Sequence, residues 1–343
     1  MRLARAVHGG VLKRHFGTTA MSAASEPLIL PFPSGAKGMP TDAVVRFRHR
    51  LNDTGLFTDE ALARLIDEQP RDRFDVLTMR RNPPGGERWT AGEAGGLSGA
   101  EILQAVKTGA LWVSCRKAME LHPRYKPAFR QAMAEYSAEV GQPILSASAS
   151  ILISGPQMGI FFHADAADTM LWHMRGTKTM LVYPATDDFI SERAMEAILL
   201  KETLSDAPYE EAMDAHAERV VFQPGDAAAW PLHGPHRVIN GDSLNVSVSV
   251  EYTTPRSART NGAFYTKGWL RRRVGLDLGA SRGTPEALQS ILWATSKPLR
   301  LVERGRKTVE KRHPRCFDVD LDAPDCVSWR EGYGPAAFAL AAE

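Results

Sequence analysis

His163 and Asp165 stand two residues apart in the segment Phe162-His-Ala-Asp165. On an extended chain, side chains at i and i+2 leave the same face, so an imidazole and a carboxylate are offered together. A second histidine arriving from a distant strand completes two imidazoles and one carboxylate. That set suits a divalent first-row metal. It holds one face of Fe(II) and leaves positions open for a cosubstrate and oxygen. A lone histidine on a strand is more often structural, so the distant partner decides between the two readings.

A downstream segment offers two candidates for that partner. It runs Gly225-Asp-Ala-Ala-Ala-Trp-Pro231-Leu-His233-Gly-Pro-His236-Arg-Val-Ile-Asn240. It resembles the second cupin motif, in which a glycine turn, a strand and a proline bend precede a ligand histidine. His233 stands where that motif has glycine and is the rival third ligand. The distance from Pro231 and the following Arg237-Val-Ile-Asn240 favour His236.

The region 144–253 resembles the JmjC and cupin-like 2-oxoglutarate oxygenases, in particular the asparaginyl-hydroxylase type. The resemblance rests on Leu171-Trp-His-Met-Arg175, then Gly176-Thr-Lys178, then Leu181-Val-Tyr183-Pro184. It covers about a third of the chain. It implies Fe(II) on His163, Asp165 and His236, with 2-oxoglutarate as cosubstrate. Lys178 lies fifteen residues after His163, the family's position for the lysine that meets the distal carboxylate. A dicarboxylate buried in a barrel needs such a cation, because an unpaired buried charge is very costly. Ile160 and Thr169 stand where the family often has threonine and asparagine. Thr169 is therefore the candidate for one further cosubstrate contact, and Ser247 or Ser249 for another. The implied activity is hydroxylation of a protein side chain or a small molecule, with decarboxylation of 2-oxoglutarate to succinate. A metal cupin enzyme that does not use 2-oxoglutarate would have no need of Lys178. A non-catalytic binding module would have no need of an intact ligand set.

The elements around these residues change period along the chain. Helices are expected after Thr58, from a capping box at Ser98-Gly-Ala-Glu101, and from about Pro127 to Gly141. From residue 144 the period becomes two. Short strands are expected at 159–163, 170–175, 178–183, 219–223, 227–230, 236–240 and 244–253. The fold expected is mainly β with flanking helices, a double-stranded β-helix of the jelly-roll or cupin kind. Trp172 and Trp230 are expected in the barrel core, and His173 is read as structural. The divisions are a disordered or targeting segment over 1–40, a helical region over 41–143, the barrel over 144–255 with a helical insertion at 187–217, and a helical extension over 256–343. Residues 81–97 read as a Gly/Pro-rich loop.

Composition sets the outer limits. With 43% apolar and 24% charged residues over 343 positions, the chain has the make-up of an ordinary soluble globular protein. A formal charge of +2 gives no indication of nucleic acid, and no apolar run approaches the ~20 residues that span a bilayer. The basic clusters Arg46-Phe-Arg-His-Arg50 and Arg271-Arg-Arg273 read as solvated surface. Three cysteines without metal-ligand spacing fit a reducing compartment and a cytoplasmic location. The alternative is the mitochondrial matrix, because the first twenty residues are basic, free of acids and helically spaced, as in a presequence. The apolar stripe Leu288, Ile291 and Leu292 is expected either to pack on the barrel or to form a homodimer contact through the C-terminal helices.

Overall fold

A computed structural model describes residues 26–33, 42–203, 207–303 and 314–334. The presequence expected at the N-terminus lies outside these residues. Of the segment expected to be disordered, Ile29 and Phe32 are instead buried in the main core, and Ile29 bridges His49.

In chain order the elements are β1 (Val45–Arg48), α1 (Asp59–Glu68), β2 (Phe74–Thr78), β3 (Thr90–Glu93), α2 (Gly99–Thr108), β4 (Leu111–Cys115), α3 (Ala118–Leu121) and α4 (Lys126–Val140). Then come β5 (Ser146–Ser154), β6 (Gly159–His163), β7 (Asp168–Arg175), β8 (Lys178–Val182), α5 (Glu192–Leu199), β9 (Glu218–Phe222), β10 (Asp226–Trp230), β11 (His236–Asn240) and β12 (Asn245–Thr253). The chain closes with α6 (Pro255–Val274), α7 (Glu286–Glu303), β13 (Arg315–Val319) and β14 (Val327–Trp329).

The helix starts follow their local chemistry. The Thr58 hydroxyl accepts from the Ala61 amide at the start of α1, and Ser98 and Glu101 form the reciprocal capping box of α2. Pro127 occupies the first turn of α4, where its missing N–H costs nothing, and Gly141 ends the helix in the left-handed region at φ 65°.

The strands fall into two sheets. The larger has the order β1-β10-β7-β12-β5-β4-β2-β3-β13-β14, and the smaller β6-β11-β8-β9. Within the eight strands β5 to β12, the quartet β10-β7-β12-β5 faces the quartet β6-β11-β8-β9, and the chain passes back and forth between them. That interleaving is the double-stranded β-helix, a jelly roll.

β12 shows how the layers are built. Val246, Val248, Val250 and Tyr252 point away from the barrel into the main core, with Ile151, Ile153 and the helices α1, α2 and α4. Ser247, Ser249 and Glu251 therefore point into it. On β7 the same alternation puts Met170, Trp172 and Met174 in the outer core and Leu171 in the barrel. Trp172 is thus outside the barrel, 6.2 Å from the Phe129 ring of α4, while Trp230 is inside as expected. The parity of β7 decides this, because residues 171 and 172 must take opposite faces.

Several regions differ from the sequence expectation. Residues 41–143 carry four strands besides their helices, and these extend the larger sheet. The 81–97 loop contains β3, whose Gly92 lies flat under Phe317; a Cβ there would stand 2.3 Å from that ring. Within 256–343, the described residues that follow α7 form two strands rather than helix, with Arg315 to Asp318 pairing parallel to β3. In 187–217 only α5 is α-helical among the described residues, followed by a 3-10 turn at Glu211–His216.

Both basic clusters are neutralised surface. Arg46 pairs with Glu218 at 2.8 Å and Arg48 with Asp226 at 2.9 Å along edge strand β1. Arg271 and Arg272 both reach Glu196, whose carboxylate is fully buried. All three cysteines are free and buried. Among the described residues no helix is long and apolar enough to cross a membrane.

Candidate metal centre

The end of β6 and the start of β11 meet in antiparallel register, with His163 directly opposite His236. Their rings lie 4.2 Å apart between centroids. Asp165, two residues beyond His163, turns back toward both. Its Oδ2 is 3.6 Å from His236 Nε2 and its Oδ1 3.9 Å from His163 Nε2. One ligand atom from each of the three lies within 4.8 Å of the others. The two nitrogen–oxygen separations are below twice a typical ~2.1 Å bond to a divalent metal, so an ion fits between Asp165 and each histidine.

The donor chemistry fits a metal. His163 Nδ1 lies 2.8 Å from the Phe161 carbonyl and His236 Nδ1 lies 3.2 Å from the Gly234 carbonyl. A carbonyl only accepts, so each Nδ1 carries the proton and each Nε2 turns its lone pair toward Asp165. Burial, reinforced by the neighbouring His163, pushes His236 down to about 4, so its imidazole is neutral. The Trp230 ring lies 4.6 Å from that of His236 and walls it on the barrel side.

His233 is not in this cluster. The tight turn after Pro231, closed by Gly234 N–H donating to the Pro231 carbonyl, places His233 at φ 66°. Its ring turns outward to α6, with Nε2 2.7 Å from Asn261 Oδ1 and Phe264 edge-on at 5.0 Å. Asn261 in turn donates to the Ala166 carbonyl. His233 therefore pins the loop after β6 to α6, and the structure brings His236, not His233, to Asp165.

Lys178 begins β8 directly opposite Asn240 of β11. His236, Val238 and Asn240 share one strand face, so Lys178 and the histidines project into the same barrel from two ends of the small sheet. Lys178 Nζ donates to Asn240 Oδ1 at 2.6 Å. No carboxylate pairs with it among the described residues, and burial alone pushes its ammonium down to about 7. Asn240 is a site residue that composition and motif spacing do not expose. Only the β8–β11 register sets it against Lys178.

Thr169 lies on the inner face of β7, opposite Trp230. Its hydroxyl donates to the Ala167 carbonyl at 3.2 Å, so a carboxylate would compete for its one proton. His173 also faces inward. It accepts at Nδ1 from the Ser247 hydroxyl at 2.9 Å and donates from Nε2 to the Gly176 carbonyl at 3.0 Å. Both nitrogens are used within the fold, and burial and Lys178 push its pKa down to about 3. His173 is structural, and it ties up Ser247. Ser249, between them on β12, makes no hydrogen bond among the described residues and is the better-placed free donor.

Glu251 completes the inner row of β12. Surrounding protein mass, Asp165 and Glu120 push its carboxyl up to about 7, although water reaches it through the barrel mouth. Tyr183 packs on Phe162 and Phe189, and its hydroxyl meets Asp214 and Arg237 at the rim.

No family model and no curated protein matches the chain. Solved structures share part of its fold. Escherichia coli ycfD is 15% identical over 77% of this chain and 65% of that one, at a TM-score of 0.42. The ribosomal oxygenase YcfD of Escherichia coli in complex with cobalt and 2-oxoglutarate is 15% identical over 80% and 69%, at 0.41. A formate complex of Lactobacillus farciminis oxalate decarboxylase is 15% identical over 41% and 35%, at 0.22. The chain thus spans a little under two thirds of the first of these. The strand order by itself makes this a jelly-roll barrel, with two histidines and an aspartate gathered at one end.

Proposed function

We propose that the chain is an Fe(II)- and 2-oxoglutarate-dependent oxygenase of the JmjC and cupin-like kind, asparaginyl-hydroxylase type. It hydroxylates a protein side chain or a small molecule and converts 2-oxoglutarate to succinate and CO2. The observation that carries the reading is Lys178. A fully buried ammonium with an amide oxygen beside it lacks an anionic partner among the described residues, and it shares a barrel with the His163–Asp165–His236 cluster.

Fe(II) bound there would supply oxygen activation and a chelating point for the 2-oxo acid. The chain's own residues do the rest. His163 and His236 present neutral Nε2 lone pairs because backbone carbonyls hold their Nδ1 protons. Asp165 adds one negative charge. Four residues of strand set the backbone of Asn240 ~13 Å from that of His236. The inward reach of Lys178 shortens this to the scale of a short dicarboxylate. Ser249 offers a hydroxyl along the way. Trp230, Val238 and Leu171 keep the interior dry, which strengthens each of these polar contacts. On α7, Leu288 and Ile291 are 41% and 63% exposed, which supports a contact between two copies of the chain.

The test is anaerobic. Fe(II) and then 2-oxoglutarate are added to purified protein, and the visible metal-to-ligand charge-transfer band is followed. The band is expected in wild type, absent in His236→Ala and retained in His233→Ala. Absence of the band despite bound metal would sink the 2-oxoglutarate reading.

A further inference from the structure

Asp165 also lines a second space, at the mouth of the barrel. Between the end of β12, the loop after β6 and the helices α5, α6 and α7 lies a cavity of about 630 Å³. That is the size range of small-ligand sites. Glu251 stands on its barrel wall. α7 supplies the facing wall through Trp293, Ser296, Lys297 and Arg300, whose spacing puts them on one helix face.

The charges of this cavity are sorted by wall and left unused. Glu251 has no hydrogen bond or ion pair among the described residues. Lys297 Nζ lies 3.8 Å from the centre of the Trp293 ring, and the Arg300 guanidinium lies 4.2 Å from that of Tyr265. Among the described residues neither cation of α7 has a carboxylate partner, whereas Arg259, Arg271, Arg272 and Arg273 of the neighbouring α6 each pair with an acidic side chain. The rings hold the two cations in place without neutralising them. A ligand with one charge would satisfy one wall and leave the other bare. A ligand with a cation at one end and an anion at the other satisfies both.

We propose that this cavity binds the substrate of the metal centre, and that the substrate is a small zwitterion of the amino-acid class with a cationic side chain. Its cationic end meets Glu251 beside Asp165, and its carboxylate meets Lys297 and Arg300. The bond to be oxidised then lies on the chain near the cationic end. This rests on the oxygenase reading for the chemistry but not for the binding. Glu251 acts here as a specificity-determining residue and takes no part in the reaction itself.

Calorimetric titration of the full chain, with and without Zn(II), tests it with three probes. L-lysine carries both charges, L-norleucine lacks the ε-amine, and pentylamine keeps the terminal amine but lacks the α-amine and the carboxylate. L-lysine is expected to bind at least about tenfold more tightly than either of the others. Glu251→Gln should weaken L-lysine and pentylamine by about tenfold and leave L-norleucine unchanged. The double variant Lys297→Ala, Arg300→Ala should weaken L-lysine and L-norleucine but not pentylamine. An unchanged thermal midpoint in both variants shows that folding is not the cause. Equal binding of L-lysine and pentylamine points to a cationic side chain of a polypeptide instead and overturns the proposal. So does L-lysine binding that ignores both variants, or no binding in the millimolar range. The charge-transfer measurement on the same preparation separates the two readings. A band without L-lysine binding removes the zwitterion alone. L-lysine binding without a band removes the oxygenase alone.

Discussion

The two faces of β12 are made of the same nine residues and do opposite work. Val246, Val248, Val250 and Tyr252 face a core in which the Tyr252 hydroxyl finds Tyr136 at 2.8 Å. Ser247, Ser249 and Glu251 face the barrel, where one hydroxyl is committed to His173 and, among the described residues, the other is free and the carboxylate unpaired. The outer face gains stability from dry contact. The inner face gives stability up by holding polar groups short of partners, and those groups are what a ligand can bind.

Substitutions on each face sharpen this contrast. The largest effect is expected from Asp165→Ala. It removes the only carboxylate of the cluster, so succinate formation should fall to background while the thermal midpoint of metal-free protein hardly moves. Wild-type turnover in this variant would break the assignment of the inner face. Trp172→Ala, on the outer face, should do the reverse. It is expected to cost ~3–5 kcal/mol in urea unfolding, with metal affinity of the folded fraction retained.

Lys178→Met asks whether the inner face is held at a cost. Replacing an unpaired buried ammonium by an apolar chain should stabilise the cosubstrate-free protein by about 1–4 kcal/mol while raising the 2-oxoglutarate requirement at least tenfold. The pH dependence checks the sign. Wild-type Lys178 is pushed down to about 7 in the fold from 10.5. The unfolded chain therefore binds the extra proton between those values, and this group adds stability as pH rises across them. The methionine variant should lose that rise. Loss of stability by Lys178→Met would show that the lysine is better partnered than the geometry indicates.

The smallest effect per group is an acid slope. Burial pushes His49 and His233 down to about 4 and His173 to about 3, from 6.5. Below pH 6.5 the unfolded chain takes up protons that the fold refuses, so stability present above 6.5 falls as pH drops toward 4. Each histidine should contribute ~1.4 kcal/mol per pH unit. Replacing His233 with Gln, which keeps a donor toward Asn261, should remove one such share and leave the metal centre in place.

Sequence showed the barrel best where its period was strictest. The alternation of Val246 to Val250 and the spacing of His163 and Asp165 need only the geometry of one strand. The choice between His233 and His236 needed the turn after Pro231, which local residues define. Trp172 was misplaced because parity along β7 cannot be fixed until one of its neighbours is assigned a face. Asn240 and Glu251 were invisible as site residues because their meaning comes from cross-strand register. β3 was hidden for a further reason. Thr90-Ala-Gly-Glu93 has little strand propensity, and its stability comes from Phe317 lying across Gly92.

That last pairing bears on how the molecule is made. β3 meets β2 soon after it is synthesised, but its other edge is filled only by β13, on the order of two hundred residues later. At about 5–20 residues per second, the nascent chain carries an open backbone edge for roughly ten to forty seconds. During that interval the protein offers a template for any extended strand nearby. β13 and β14 thus act as a closing seam on a sheet whose strands β2 and β3 are laid down well before them.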